Sequence, residues 1–152
     1  MRFIADSMLG TLAKALRLLG FDVAYDPFIE DRALIEQARA EGRVILTRDT
    51  GITRRTNLPT CVFVESDHVG EQLAQVARET GVGLRSGTVL SRCIVCNGAL
   101  EEVVKQTVRE QVAPYVYATQ ERFARCPGCG RIYWRGTHVE GMERKLKEWG
   151  LK

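Results

Sequence analysis

Two C-x2-C pairs, Cys93/Cys96 and Cys126/Cys129, constrain this chain more than any other feature of its 152 residues. The spacing within each pair lets two thiolates face one centre while amides of the turn point at the sulfurs. Two such turns, 29 residues apart, can complete a tetrahedron. Zinc suits four thiolates, with Zn–S near about 2.3 Å. Such a site has no open position, so the ion would hold structure and would not catalyse. Gly98 and Gly130 follow the second cysteines, where a positive φ is often needed. An iron–sulfur cluster and a pair of disulfides are the other readings of the same four residues. Cys61 lies in an apolar run and reads as a small buried residue.

Composition divides the chain in two. Residues 1–90 carry eleven basic and twelve acidic side chains, and residues 91–152 carry eleven and seven. All six aspartates fall in the first part and four of the five cysteines in the second. The expected units are residues 1–84 and 85–152, joined through a glycine-bearing linker over 81–91. The second unit is small and polar enough to need a staple. No apolar run approaches the roughly 20 residues of a membrane span, nor the about 7–15 of a signal peptide. The expectation is a cytoplasmic protein without disulfides and without membrane contact.

In the first unit, short β-forming runs at 2–5, 23–25, 44–47 and 61–64 alternate with helical spacing over Leu9–Leu19, Leu34–Ala38 and Val69–Ala77. That order implies an α/β fold, a parallel sheet covered on both faces. Ser7, Asp31 and Ser66 or Asp67 offer helix N-caps. The segment between the last two strands reads as a loop. In the second unit a strand is expected over 99–104, a short helix over 105–112 and an amphipathic helix at the end. Thr137 and Glu140 there have capping-box spacing.

Asp6 and Asp49 each stand directly after a strand, and sites in open α/β sheets form at that edge. Asp31 leads into the Asp49 strand and falls on the same edge, although by itself it reads first as a helix cap. Three converging carboxylates repel unless a cation neutralises them. Mg²⁺ or Mn²⁺ fits hard oxygen donors and can activate water toward a phosphodiester. Arg48, Arg54 and Arg55 add positive charge beside that edge. Arg122, Arg125 and Arg131 do so around the second cysteine turn, where phosphate could be held. His68 and His138 read as surface or capping residues, and Tyr133 and Trp134 as packing around the metal. No phosphate-binding G-x-x-x-x-G-K, esterase G-x-S-x-G or zinc-protease H-E-x-x-H is present.

Asp6-Ser7-Met8-Leu9-Gly10, Leu16-Arg17-Leu18-Leu19-Gly20, Val44-Ile45-Leu46-Thr47-Arg48-Asp49, the two cysteine turns and Arg131-Ile132-Tyr133-Trp134 carry a resemblance. Together they resemble the Mut-seven C-terminal ribonuclease family, in which a PIN-like domain carries a zinc ribbon. The resemblance implies a PIN-like fold, metal-dependent RNA cleavage at Asp6, Asp31 and Asp49, and a ribbon that helps to hold RNA. Asp67 is the residue available as a fourth acid. The expected function is a Mg²⁺- or Mn²⁺-dependent ribonuclease. The alternative is a non-catalytic zinc-ribbon module that binds RNA or protein. A phosphoacceptor domain fits poorly: Asp6 has no acidic neighbour, and no lysine lies between Lys14 and Lys105.

Overall fold

A computed structural model describes residues 1–85 and 88–151; of Thr137 and His138 it describes the backbone alone. The first half runs β1 (Arg2–Ala5), a 3-10 turn (Ser7–Leu9), α1 (Gly10–Leu18), β2 (Asp22–Tyr25), α2 (Asp31–Glu41), β3 (Val44–Thr47), α3 (Thr50–Thr53), β4 (Cys61–Phe63) and α4 (Val69–Thr80). Its four strands are all parallel, in the order β2-β1-β3-β4. The chain leaves β1 for β2 on one side and returns to β3 on the other. The β1/β3 boundary is therefore the switch point where a crevice opens at the carboxyl ends of the strands.

Strand side chains alternate between faces, so this sheet builds two cores. Phe3, Ala5, Val44 and Leu46 pack with Leu12, Leu16 and Leu73 of α1 and α4. Ile4 and Ile45 pack with Leu34, Ile35 and Ala38 of α2 and with Ile52 of α3. Each fully buried Leu or Ile contributes about 1.5–3 kcal/mol. That reward fixes the register that puts Asp6 and Asp49 on one edge.

The second half holds β5 (Glu101–Val103), a 3-10 turn (Lys105–Val108), α5 (Pro114–Thr119), β6 (Phe123–Arg125), β7 (Ile132–Trp134) and α6 (Thr137–Glu148). β5, β6 and β7 form an antiparallel sheet in that order. The final helix returns to the first core: Leu146 is buried there, with Met142, Trp149 and Leu151 packed against it. An ideal Cβ on Gly70 of α4 would lie 2.6 Å from Trp149 Cε2. Gly70→Ala must therefore displace the indole, and a loss of about 1–3 kcal/mol is expected, the usual cost of overpacking. A thermal melt reads it; an unchanged midpoint would mean that α6 does not sit on α4 in solution.

Several local expectations change. The segment after β3 is not simply a loop, because Asp49 accepts from Gly51 N at 2.7 Å and starts the single turn α3. Asp6, not Ser7, caps the turn after β1. Asp31 is the first residue of α2, whose N-cap Glu30 makes no side-chain capping bond. α4 has His68 at its N-cap, with Ser66 accepting from His68 N at 3.0 Å. The turn at 105–108 is 3-10 only, and Pro114 opens a helix where an end was expected, its missing N–H costing nothing at that position. The described part of the expected linker is packed on both sides of residues 86 and 87: Leu84 is buried, and Leu90 N donates to Leu18 O at 3.1 Å. Gly20, at φ +94°, faces Thr88 where a Cβ would meet the carbonyl oxygen at 2.2 Å. The capping box at Thr137 concerns a side chain outside the described residues.

Candidate metal centre and acid site

The ligand atoms of Cys93, Cys96, Cys126 and Cys129 all lie within 4.8 Å of one another. Cys93 Sγ is 3.6 Å from Cys129 Sγ, and Cys96 Sγ is 3.3 Å from Cys126 Sγ. A tetrahedron of Zn–S bonds near 2.3 Å sets its sulfurs about 3.8 Å apart, so the donor set fits one zinc ion. The two turns repeat each other bond for bond. Asn97 N donates to Cys93 O at 2.9 Å and Gly130 N to Cys126 O at 2.7 Å. Cys93 N donates to Gly98 O at 2.8 Å and Cys126 N to Arg131 O at 2.9 Å. The left-handed positions are Asn97, at φ 69°, and Gly130, at φ 78°, so Gly98 does not have the expected role. Asn tolerates that region. Gly98 instead leaves room for sulfur, since its Cβ would touch Cys126 Sγ at 3.4 Å.

Tyr133, expected as packing, bonds the centre. Its hydroxyl is 3.1 Å from Cys93 Sγ and accepts from Ile94 N at 3.2 Å. Burial raises the Cys93 thiol, but the Tyr133 hydroxyl and the backbone amides outweigh it and lower it to about 6. That favours at Cys93 the thiolate a metal requires. The Gly98 amide lowers Cys96, but its bond to Cys126, burial and the other thiols outweigh that and raise it to about 12. Cys129 is raised as well. It is therefore the sulfur geometry that argues for the metal.

The first cysteine turn is fixed to the parallel sheet. Arg17 of α1 is buried, and its Nη1 donates to Ile94 O and Val95 O, both at 3.0 Å, while Nε donates to Val23 O at 2.9 Å. Burial lowers its pKa, and the Cys93 and Cys96 thiolates oppose that. Asn97 Oδ1 accepts from Val23 N at 2.9 Å, and its amide donates to Asp22 Oδ1 at 2.7 Å. Asp22 also meets Arg43 at 2.7 Å. These bonds occupy the free side of edge strand β2, which would otherwise offer unpaired backbone groups.

At the carboxyl edge, Asp6 is 4% exposed and accepts from Ser7 N through Oδ1 and from Thr47 Oγ1 through Oδ2, both at 2.8 Å. Thr47 Oγ1 in turn accepts from Asp49 N at 2.9 Å. One buried hydroxyl thus ties the two strand-end acids together, a role that nothing in the sequence singled out. The Asp31 carboxyl is raised above its ordinary value, first by burial, then by the charges of Asp49 and Asp6, with Arg55 opposing. The structure therefore brings Asp31 into the field of the other two. Among the described residues the acids are not as compact a donor group as the thiols. Asp67 is exposed in the turn before α4. Met8 and Phe28, 62% and 90% exposed, stand in the connections after β1 and β2 on this edge.

Residues 1–146 match the Mut7-C RNAse domain family. The chain belongs to that family. It is also similar to the exonuclease mut-7 homolog of Homo sapiens, with 34% identity over 101 residues. That match covers 63% of this chain and 12% of the human protein, so the chain spans a small part of its relative's length. No solved structure matches the chain. Against this Mut7-C frame, the acid edge lies in the matched region and so do all four cysteines. No helix among the described residues is long and apolar enough to cross a membrane.

The arginines expected to hold RNA fall in two places. Arg48, Arg54 and Arg55 follow β3, with Arg54 and Arg55 exposed. On the ribbon, Arg122 pairs with Glu102 at 2.9 Å and Arg125 reaches Gln111 at 3.4 Å, while Arg131 is exposed. The two sets belong to different sheets.

Proposed function

We propose that this Mut7-C protein is a divalent-metal-dependent ribonuclease whose acid site is Asp6, Asp31 and Asp49, with one structural zinc on the four cysteines. The observation that carries the reading is geometric: Thr47 Oγ1 ties Asp6 Oδ2 and Asp49 N together at the switch point of a parallel sheet, with Asp31 in the field of both acids. Among the described residues none of the three acids has an ion pair, and Arg55 acts on Asp31 only through its field. Negative charge so concentrated is a state that a hard divalent ion relieves. Mg²⁺ or Mn²⁺, when bound, supplies activation of water and stabilisation of the leaving oxygen. The protein's own part is positional. Ser7 N and Thr47 Oγ1 each take one lone pair of an Asp6 oxygen and leave others free. Gly51 N holds Asp49 Oδ1 in the same way. Arg48, Arg54 and Arg55 receive phosphate, Arg122, Arg125 and Arg131 add ribbon contacts, and the exposed Phe28 ring offers a face on which an unpaired base can stack.

Purified, zinc-loaded protein incubated with single-stranded RNA should cleave it with Mn²⁺ or Mg²⁺ and not with EDTA. A protein that binds RNA yet cleaves none with any divalent ion would return the alternative, a zinc-ribbon binding module.

Asp31→Asn gives a separate test. A raised carboxyl penalises the folded state once ionised, so stability falls as pH rises from the ordinary carboxyl value of 3.8 through the raised one. Above that window the Asn variant should melt at an equal or higher temperature than the metal-free parent, and the difference should vanish at lower pH. Added Mn²⁺ should stabilise the parent more than the variant. A variant that melts lower at neutral pH would make Asp31 a structural residue.

A further inference from the structure

Four arginines line one groove beside the acid edge, and two of them, Arg32 and Arg39, have no part in the acid site or the ribbon. The groove has a volume of about 690 Å³ and is walled by Arg32 and Arg39 of α2 and by Arg54 and Arg55 after α3, with Ile35 and Leu58 lining it between them. Glu36 is its acidic lining residue. Arg32 follows Asp31 directly in the chain, and Arg54 and Arg55 close the turn that Asp49 opens.

These charges are poorly satisfied by the protein. Arg32 pairs with Glu36 at 3.1 Å, but both side chains are mostly in solvent, 84% and 60% exposed, where such a pair contributes little. Arg39 donates one bond, to Asn57 O at 2.8 Å. Arg54 and Arg55 have no ion pair among the described residues. Arg55 does act on Asp31 through its field, so the groove and the acid site are within electrostatic reach of each other. Like charges gathered in one concavity raise the local concentration of anions. Arg32 and Arg39 are seven positions apart on α2, about 10 Å along its axis, which is too far for one phosphate to bridge. A smaller hollow of about 370 Å³ shares Arg39 and Leu58 and extends the path away from the acids.

We infer that this groove is the track along which the sugar-phosphate backbone of a single-stranded nucleic acid runs to or from the acid site, with Arg32 and Arg39 as its outer phosphate-binding residues. The inference rests on the nuclease reading for its direction, since the track leads to Asp31 and Asp49. It assigns α2 two faces with separate work: Leu34, Ile35 and Ala38 hold the sheet, and Arg32 and Arg39 hold the strand. Substrate length follows from it. A strand too short to reach Arg39 is held at the acids alone.

The experiment compares Arg32→Ala/Arg39→Ala with a charge-matched control, Lys14→Ala/Arg78→Ala, both pairs being exposed on helices. Binding of a fluorescent single-stranded RNA is titrated in EDTA at several salt concentrations, and cleavage of the same RNA is followed with Mn²⁺. The groove variant should bind more weakly, by roughly fivefold per arginine at moderate salt, with its salt slope shallower by about 0.7 for each phosphate no longer neutralised. Its KM should rise with little change in kcat, and the control should match the parent. If the groove variant binds with the control's affinity and slope while the parent cleaves, the track is overturned and the nuclease reading stands. If the parent does not cleave but the groove variant alone loses binding, the track stands and the nuclease reading falls. A parent that binds no single-stranded nucleic acid overturns both.

Discussion

Replacing Cys126 by serine is expected to abolish zinc binding and to unfold the segment between Arg92 and Trp134. Cys126 is fully buried, and its sulfur is 3.3 Å from Cys96 Sγ, so the serine would leave three thiolates around a centre that needs four. Structural zinc in zinc-finger peptides is worth about 10–16 kcal/mol of folding free energy. The apolar core of this part is small, Val108 and Phe123 being its buried side chains between the two cysteine turns. Its sheet consists of three strands of three residues each. The loss should spread. Arg17 Nη1 bonds the carbonyls of Ile94 and Val95, and Asn97 bonds Val23 N, so a melted cysteine turn leaves that arm of a buried guanidinium and the Val23 amide without partners, while Arg17 Nε keeps its bond to Val23 O. Buried donors left unmade cost about 1–3 kcal/mol each, more when charged. The expected result is a fall from one zinc per chain to none, a lower melting temperature for the whole protein, and proteolysis between Arg92 and Trp134. Metal analysis, a melt and limited proteolysis read these. A variant that keeps one zinc and the parent's melting curve would remove Cys126 from the ligand set, and a parent with its cysteines joined as disulfides would remove the zinc.

The parallel sheet was legible because its strands are runs of apolar, β-branched residues bounded by glycines and acids, with helical spacing between them. The cysteine centre was legible because thiol spacing has few other uses. Single-turn elements were not legible. α3 exists because the Asp49 side chain bonds Gly51 N and Ile52 is buried, and four residues carry no periodicity. In the first cysteine turn the left-handed residue falls one position before the glycine, because Asn97 can occupy that region without one. The segment over 81–91 has the composition of a tether, since glycine and polar residues dominate it. Leu84 and the close approach of Thr88 to Gly20 are tertiary facts with no local pattern. Thr47 was invisible for a similar reason. A threonine ending a β-branched run reads as strand propensity, and its bonds to Asp6 and Asp49 appear only when β1 and β3 lie side by side.

Asp6→Asn and Asp49→Asn are each expected to reduce metal-dependent RNA cleavage to background while leaving the fold intact. Both keep the size of the side chain and one oxygen acceptor but remove the charge that holds a divalent ion. The hydrogen bonds at each position decide what the change does to the fold. Asp49→Asn retains an oxygen for Gly51 N, and Asn caps a helix about as well as Asp, so α3 should persist. Asp6 is the stricter case, because it accepts two bonds in a buried site. Asp6→Asn can keep the bond from Ser7 N and turn its amide toward Thr47. The Thr47 hydroxyl has two acceptor lone pairs, one already used by Asp49 N, and can accept that amide if its own proton turns away. A modest change in melting temperature is expected there, against loss of activity by a factor of about 10²–10³, as for removal of a group that stabilises transition-state charge. Thr47→Val separates positioning from ligation. It removes the tie between the acids without touching a carboxylate, so it should weaken Mn²⁺ binding and cleavage in part, and Thr47→Ser should restore both. The assays are cleavage with Mn²⁺, a Mn²⁺ titration read by the melt, and a melt without metal. If the Asn variants cleave like the parent, cleavage does not occur at this edge and the nuclease assignment to Asp6 and Asp49 fails. If they lose activity only because they unfold, the metal-free melt shows it, and the Thr47 pair then decides whether the edge binds the ion.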